Sequence, residues 1–137
     1  MSTKQERIVE IREAAESDLV TFIKLIAPKT VLGSVHVELC DWWTRQDGKT
    51  HQLALLPRDH QKSRLMGYRA AWHLTKYPEH RILYISSTAN LAEKQLKFIK
   101  DILISKIYGR YWPDMINPSI DKREKWTNSE ISVDHPK

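Results

Sequence analysis

The residues best suited to chemistry form one short run, Pro57-Arg58-Asp59-His60-Gln61-Lys62-Ser63, set between an apolar stretch and an amphipathic one. Those types in that order suit phosphate binding. Inward-turned backbone amides can cradle phosphate oxygens, and the N-terminus of a following helix adds its positive end. A lysine at position 62 can reach terminal phosphates, and the hydroxyl beside it can take Mg²⁺. The GxxxxGK[ST] pattern is not met: Leu56 stands at its first glycine position and Gln61 at its second. If position 61 needs a positive φ, glutamine costs on the order of 1 kcal/mol relative to glycine there. The alternative is a charged surface loop that ends in Lys-Ser.

Such a loop works only if the flanking elements hold it. Gln52-Leu53-Ala54-Leu55-Leu56 is short and apolar, which predicts a buried strand. Lys62 to Tyr77 predicts a helix with Leu65, Tyr68, Ala71, Trp72 and Leu74 on its apolar side, stopped by Pro78. Arg81-Ile82-Leu83-Tyr84-Ile85-Ser86 predicts a second buried strand. Ser87 or Thr88 then caps a long helix to about Tyr108, with Ala92, Leu96, Ile99, Leu103 and Ile107 as its stripe. The order strand, loop, helix, strand, helix predicts an α/β fold. Its parallel sheet is covered by helices and joined by right-handed crossovers.

Upstream, Ile8, Ile11, Ala15, Leu19, Phe22 and Ile26 recur at helical spacing, and Ser17-Asp18 allows one bent helix or two in series. Pro28 stops them, and a short helix from about Val35 to Arg45 follows. Downstream, Asn128-Ser129 lies between two β-prone runs, Trp126-Thr127 and Ile131-Val133, which predicts a hairpin.

Composition narrows the class without choosing a function. The chain has 137 residues, 41% hydrophobic and 28% charged, which fits a folded domain rather than a disordered tail. No apolar run is long enough to cross a bilayer, and the polar start, Met1 to Arg7, leads into no signal-like segment. A net charge of +5 permits a polyanionic partner but does not require one. Cys40 is the single cysteine, so an intramolecular disulfide and a multi-cysteine zinc site are excluded.

The run Leu55 to Ser63 resembles the degenerate Walker A of tailed-phage terminase large subunits: apolar, Pro, Arg, Gly, His, Gly, Lys, Ser/Thr. Leu56, Pro57, Arg58, His60, Lys62 and Ser63 match in type; Asp59 and Gln61 stand where the family usually has glycine. The resemblance extends to Phe22-Ile23 with Pro28, to His36 and Asp41-Trp42-Trp43, to Ile82–Ala89 with Ala92-Glu93, and to Glu124-Lys125-Trp126 with Ile131 and Val133. It implies ATP and Mg²⁺ as cofactors, bound by Pro57, Arg58, Asp59, His60, Gln61, Lys62, Ser63 and Arg64. Arg58 and Lys62 would be catalytic, Arg58 on the γ-phosphate, and Ser63 would ligate Mg²⁺ with ATP.

The resemblance also implies a partial P-loop NTPase-type sheet. Residues 1–50 would form a helical lead-in, and 51–137 the first portion of the ATPase domain. The Asp-Glu motif that holds Mg²⁺ and water in this family, its coupling motif and its nuclease carboxylates are not among these residues. The chain therefore reads as the N-terminal portion, or a truncated relative, of a terminase large subunit, which packages viral DNA in the host cytoplasm. Double-stranded DNA, a portal protein and a small terminase subunit would be partners. The intact protein would form a homo-oligomeric ring and have no membrane partner. The runner-up is a non-catalytic nucleotide- or nucleic-acid-binding module of phage origin.

Other residues admit plain structural roles beside functional ones. His36 and Trp43 could flank an adenine, but core packing is expected of Trp42 or Trp43. His60 has no second metal ligand at a fitting spacing. Lys94, Lys97 and Lys100 could meet DNA phosphates or form a solvated face with Lys97 paired to Asp101. Tyr108, Tyr111 and Trp112 are expected to pack, and Cys40 to act as a small buried hydrophobe.

Overall fold

A computed structural model describes residues 3–45, 52–53, 62–116, 123 and 125–133. Six helices lie among them: α1 (Lys4–Ser17), α2 (Leu19–Ile26), α3 (Ser34–Arg45), α4 (Lys62–Lys76), α5 (Ala89–Leu103) and α6 (Lys106–Tyr111).

Local chemistry explains most of their limits. Thr3 closes a capping box on α1: its hydroxyl accepts from the Glu6 amide at 3.2 Å, and the Glu6 carboxylate accepts from the Thr3 amide at 2.8 Å. Asp18 is extended (φ −145°, ψ 120°), so the N-terminal stripe breaks into two helices there. The first amide of α2 is satisfied from α3: Leu19 N donates to Thr44 Oγ1 at 3.2 Å. Thr44 in turn donates to the Cys40 carbonyl at 2.9 Å. Gly33 N donates to His36 Nδ1 at 2.9 Å and so ties down the start of α3.

The predicted single helix from Thr88 to Tyr108 is two helices. Ser105 caps the second, its hydroxyl accepting from the Tyr108 amide at 3.3 Å and donating to the Ile102 carbonyl at 2.8 Å. The change of direction brings Tyr108 to Thr75 of α4, with hydroxyls 2.8 Å apart.

One buried cluster runs from Ala15 and α2 through Cys40, Trp43, Leu65 and Trp72 to Tyr108, Trp112 and Val133. Its polar atoms are matched. The Trp72 indole N–H donates to the carbonyls of Ala15 and Glu16, each at 3.1 Å, where the end of α1 needs donors. The Trp112 indole donates to the Glu16 carboxylate at 3.0 Å, and Phe22 packs against its ring at 5.5 Å.

The α/β expectation is overturned. No strand or sheet forms among the described residues, and so there is neither a parallel sheet nor a hairpin. Residues 81–86 are in neither helix nor strand, and 81–85 are exposed, with Leu83 at 83% and Ile85 at 80%. The physical reason lies next to it. α4 and α5 pack directly on each other, and no described segment supplies the ladder partner that an extended backbone needs. In the other predicted strand, Gln52 and Leu53 are not in a strand and Leu53 is exposed; residues 54–56 lie outside the described residues. The predicted hairpin is a single antiparallel bridge between Trp126 and Ile131. Thr127 N to Glu130 O and Ser132 N to Lys125 O, both 2.8 Å, close the bend. Beyond that bridge Trp126 packs against the core and carries two cations: Arg123 sits 4.4 Å and Lys100 5.5 Å from its ring.

Candidate functional site

α4 begins at Lys62, so Lys62, Ser63 and Arg64 form its first turn. The opening amides of a helix have no partner within the helix, and the dipole of fifteen aligned residues favours an anion beside them. No acidic residue lies in this turn to compete for the amides. Ser63 and Arg64 are exposed. Pro57, Arg58, Asp59, His60 and Gln61 lie outside the described residues, as does the side chain of Lys62. The structure therefore brings together Lys62, Ser63 and Arg64 of the predicted set.

The turn is held from α5. Gln95 Nε2 donates to the Ser63 carbonyl at 2.6 Å. One turn further on, Gly67 lets α5 come close: a Cβ on Gly67 would lie 2.5 Å from Phe98 Cδ1. The Phe98 ring meets Tyr68 edge-on at 5.3 Å and carries the Arg64 guanidinium at 5.8 Å from its centroid. Arg64 is thus stacked on α5, at the rim of the turn. The turn can present its opening amides, the Ser63 hydroxyl and the Arg64 charge to an anion. Among the described residues no group of three or more His, Cys, Asp or Glu side chains could hold a metal.

The other candidates are settled by packing. Trp43 is buried under the Arg69 guanidinium, 4.9 Å from its ring, and Arg69 also donates to Gln52 Oε1 at 2.8 Å. His36 Nδ1 accepts from the Gly33 amide. Lys94 and Lys97 are exposed, whereas Lys100 donates to the Thr127 carbonyl at 3.1 Å. Cys40 is fully buried. Burial first, then the carboxylates of Asp41 and Asp18, push its thiol from 9.0 up to about 12, which makes it inert. Burial also pushes the Tyr108 phenol up, against the opposing hydrogen bond from Thr75.

Sequence reasoning missed two features. One is a cleft of about 790 Å³ between Glu79–Tyr84 and the Asn128–Val133 bend, floored by Leu74, Ala92, Leu96 and Ile99. It opens roughly 18 Å along α4 from Lys62, taking 1.5 Å per residue. The other is a ring cluster of His73, Tyr77 and His80. The four-residue spacing of His73 and Tyr77 at the helix end is a usable local signal, and His80 joins them through the turn across Pro78 and Glu79.

No family model matches the chain, and no curated protein or solved structure matches it significantly. Among the described residues no helix is long and apolar enough to cross a membrane.

Proposed function

We propose that this chain is the N-terminal, ATP-binding part of a DNA-packaging motor subunit of the terminase large-subunit type. One observation carries the reading: Lys62-Ser63, the end of the Walker A-like run, opens a fifteen-residue helix whose first turn has no acid. In this reading ATP with Mg²⁺ lies against that turn. Lys62 meets the β- and γ-phosphates, the Ser63 hydroxyl serves the metal, and Arg58 acts on the γ-phosphate. Bound Mg²⁺ would neutralise phosphate charge. The chain's own part is to offer amides and cations and to hold them through the Gln95 and Phe98 contacts. Double-stranded DNA, a portal protein, a small subunit, a homo-oligomeric ring and a site in the host cytoplasm belong to the same proposal.

The test is the affinity of the purified chain for Mg-ATP, read with a fluorescent ATP analogue. Saturable binding, weakened roughly tenfold or more by Lys62→Ala, is expected for loss of a charge on phosphate. Equal affinity in both proteins contradicts the reading. Turnover is expected to be negligible, because no second acidic motif is present to organise water. Double-stranded DNA binding without any ATP binding would favour the non-catalytic module.

A further inference from the structure

The C-terminal end of α4 folds two histidines onto each other. His73 lies in the last turn of the helix, and Tyr77 N donates to its carbonyl at 2.8 Å. His80 N then donates to the Tyr77 carbonyl at 3.0 Å, closing a turn across Pro78 and Glu79. This return places His80 Nδ1 3.0 Å from His73 Nε2. The rings are held as well as the backbone. Tyr77 stacks on His80 at 4.8 Å and 15°, and packs against His73 at 5.0 Å.

We propose that His73 and His80 form a two-histidine site for a divalent transition-metal ion, Zn²⁺ by class, completed by water. Two imidazole nitrogens on one tetrahedral Zn²⁺, each at about 2.0–2.1 Å, stand about 3.3 Å apart. The observed 3.0 Å is short of that by a few tenths, and the ring centroids are 5.2 Å apart. The rings point nearly head to head, as an N–H···N pair does, so binding needs a small outward rotation. One of the facing nitrogens carries the shared proton; that imidazole must shift its proton to its other nitrogen, or lose it to solvent, before both can ligate.

The surrounding charge is mixed. Lys76, whose ammonium lies 3.4 Å over the Trp72 ring and 5.2 Å from that of Tyr77, opposes a cation, as does Arg81 in the cleft lining next to His80. Glu79 beside His80 and Glu93 across the cleft favour one. The Tyr77 stack already gathers the two imidazoles, so apart from that rotation less rotamer freedom is lost than with two separate histidines.

The experiment is calorimetric titration of the untagged chain with ZnCl₂ at pH 7.5 in a non-coordinating buffer. The expected result is one saturable equivalent, weakened roughly tenfold or more in His73→Ala and in His80→Gln but kept in His51→Ala. At pH 5.5 the site should weaken, since protons compete for the same nitrogens. With trace Cu²⁺, the ring resonances of these two histidines should broaden before those of the others. Absence of binding at pH 7.5, or binding unchanged in both variants when circular dichroism shows them folded, overturns the proposal.

Discussion

Two apolar runs of similar character meet opposite fates. Leu19-Val20-Thr21-Phe22-Ile23 sinks into the core, with Leu19, Phe22 and Ile23 fully buried. Ile82-Leu83-Tyr84-Ile85 stays in solvent, from 36% exposed at Tyr84 to 83% at Leu83. Hydrophobicity favours burial in both. The difference is where each backbone finds its hydrogen bonds. The first run is a helix and carries its own bonds into the core; its leading amide is met by Thr44. The second is in neither helix nor strand, and without a ladder partner its peptide groups are better left to water. Burial here follows from satisfied backbone as much as from apolar side chains.

The buried core should be most sensitive at Trp72. Trp72→Ala empties a fully buried ring site and removes the donor to Ala15 and Glu16, so urea denaturation should show a loss of about 3–5 kcal/mol. Trp72→Phe should cost less, about 1–3 kcal/mol, mainly through the two carbonyls left without that donor. Gly67→Ala comes next. Its Cβ would press on Phe98, and overpacking of this kind costs about 1–3 kcal/mol. Pairing it with Phe98→Leu should recover part of the loss, which a chemical denaturation series would show.

The depth of the core around Cys40 can be read through pH. Its folded thiol is raised above its ordinary value of 9.0 to about 12, so ionisation favours the unfolded chain. The stabilisation is whole below pH 9 and falls as pH rises toward 12; the upward shift of Tyr108 acts in the same sense. Melting temperatures across that range should decline more steeply for the native chain than for Cys40→Ala. Equal slopes would mean that the thiol is not buried as described.

The smallest effect is expected on the exposed side. Leu83→Ser removes no buried contact and should change stability by no more than about 0.5 kcal/mol. A loss above about 2 kcal/mol would place Leu83 in a core and undo the contrast between the two runs.

The helices were legible because their signals are local. The apolar spacing, Asp18 as a break, Thr88 as a cap and Lys62 as a start all lie within a few residues of what they control. Thr88 Oγ1 accepts from the Leu91 amide at 3.2 Å, as a cap should. The break at Ile104-Ser105 was missed since the apolar stripe runs through it to Ile107, although Ser105 is itself a capping type. The strands were misread for a non-local reason. Arg81–Ser86 has the composition of a buried strand, but a strand exists only with a neighbour, and no residue within the run specifies one. Of the candidate site, the opening of α4 was legible, while Gln95 and Phe98, which hold it, come from a helix some thirty residues further on.

The proposed seat of phosphate on the first turn of α4 is tested most directly by backbone amide resonances during a Mg-ATP titration. Saturable shifts are expected, largest at Lys62, Ser63 and Arg64, with a smaller response in the Gln95 side-chain amide that holds the turn. If ATP leaves those amides unmoved, or moves another surface while they stay fixed, the nucleotide does not bind at this helix end.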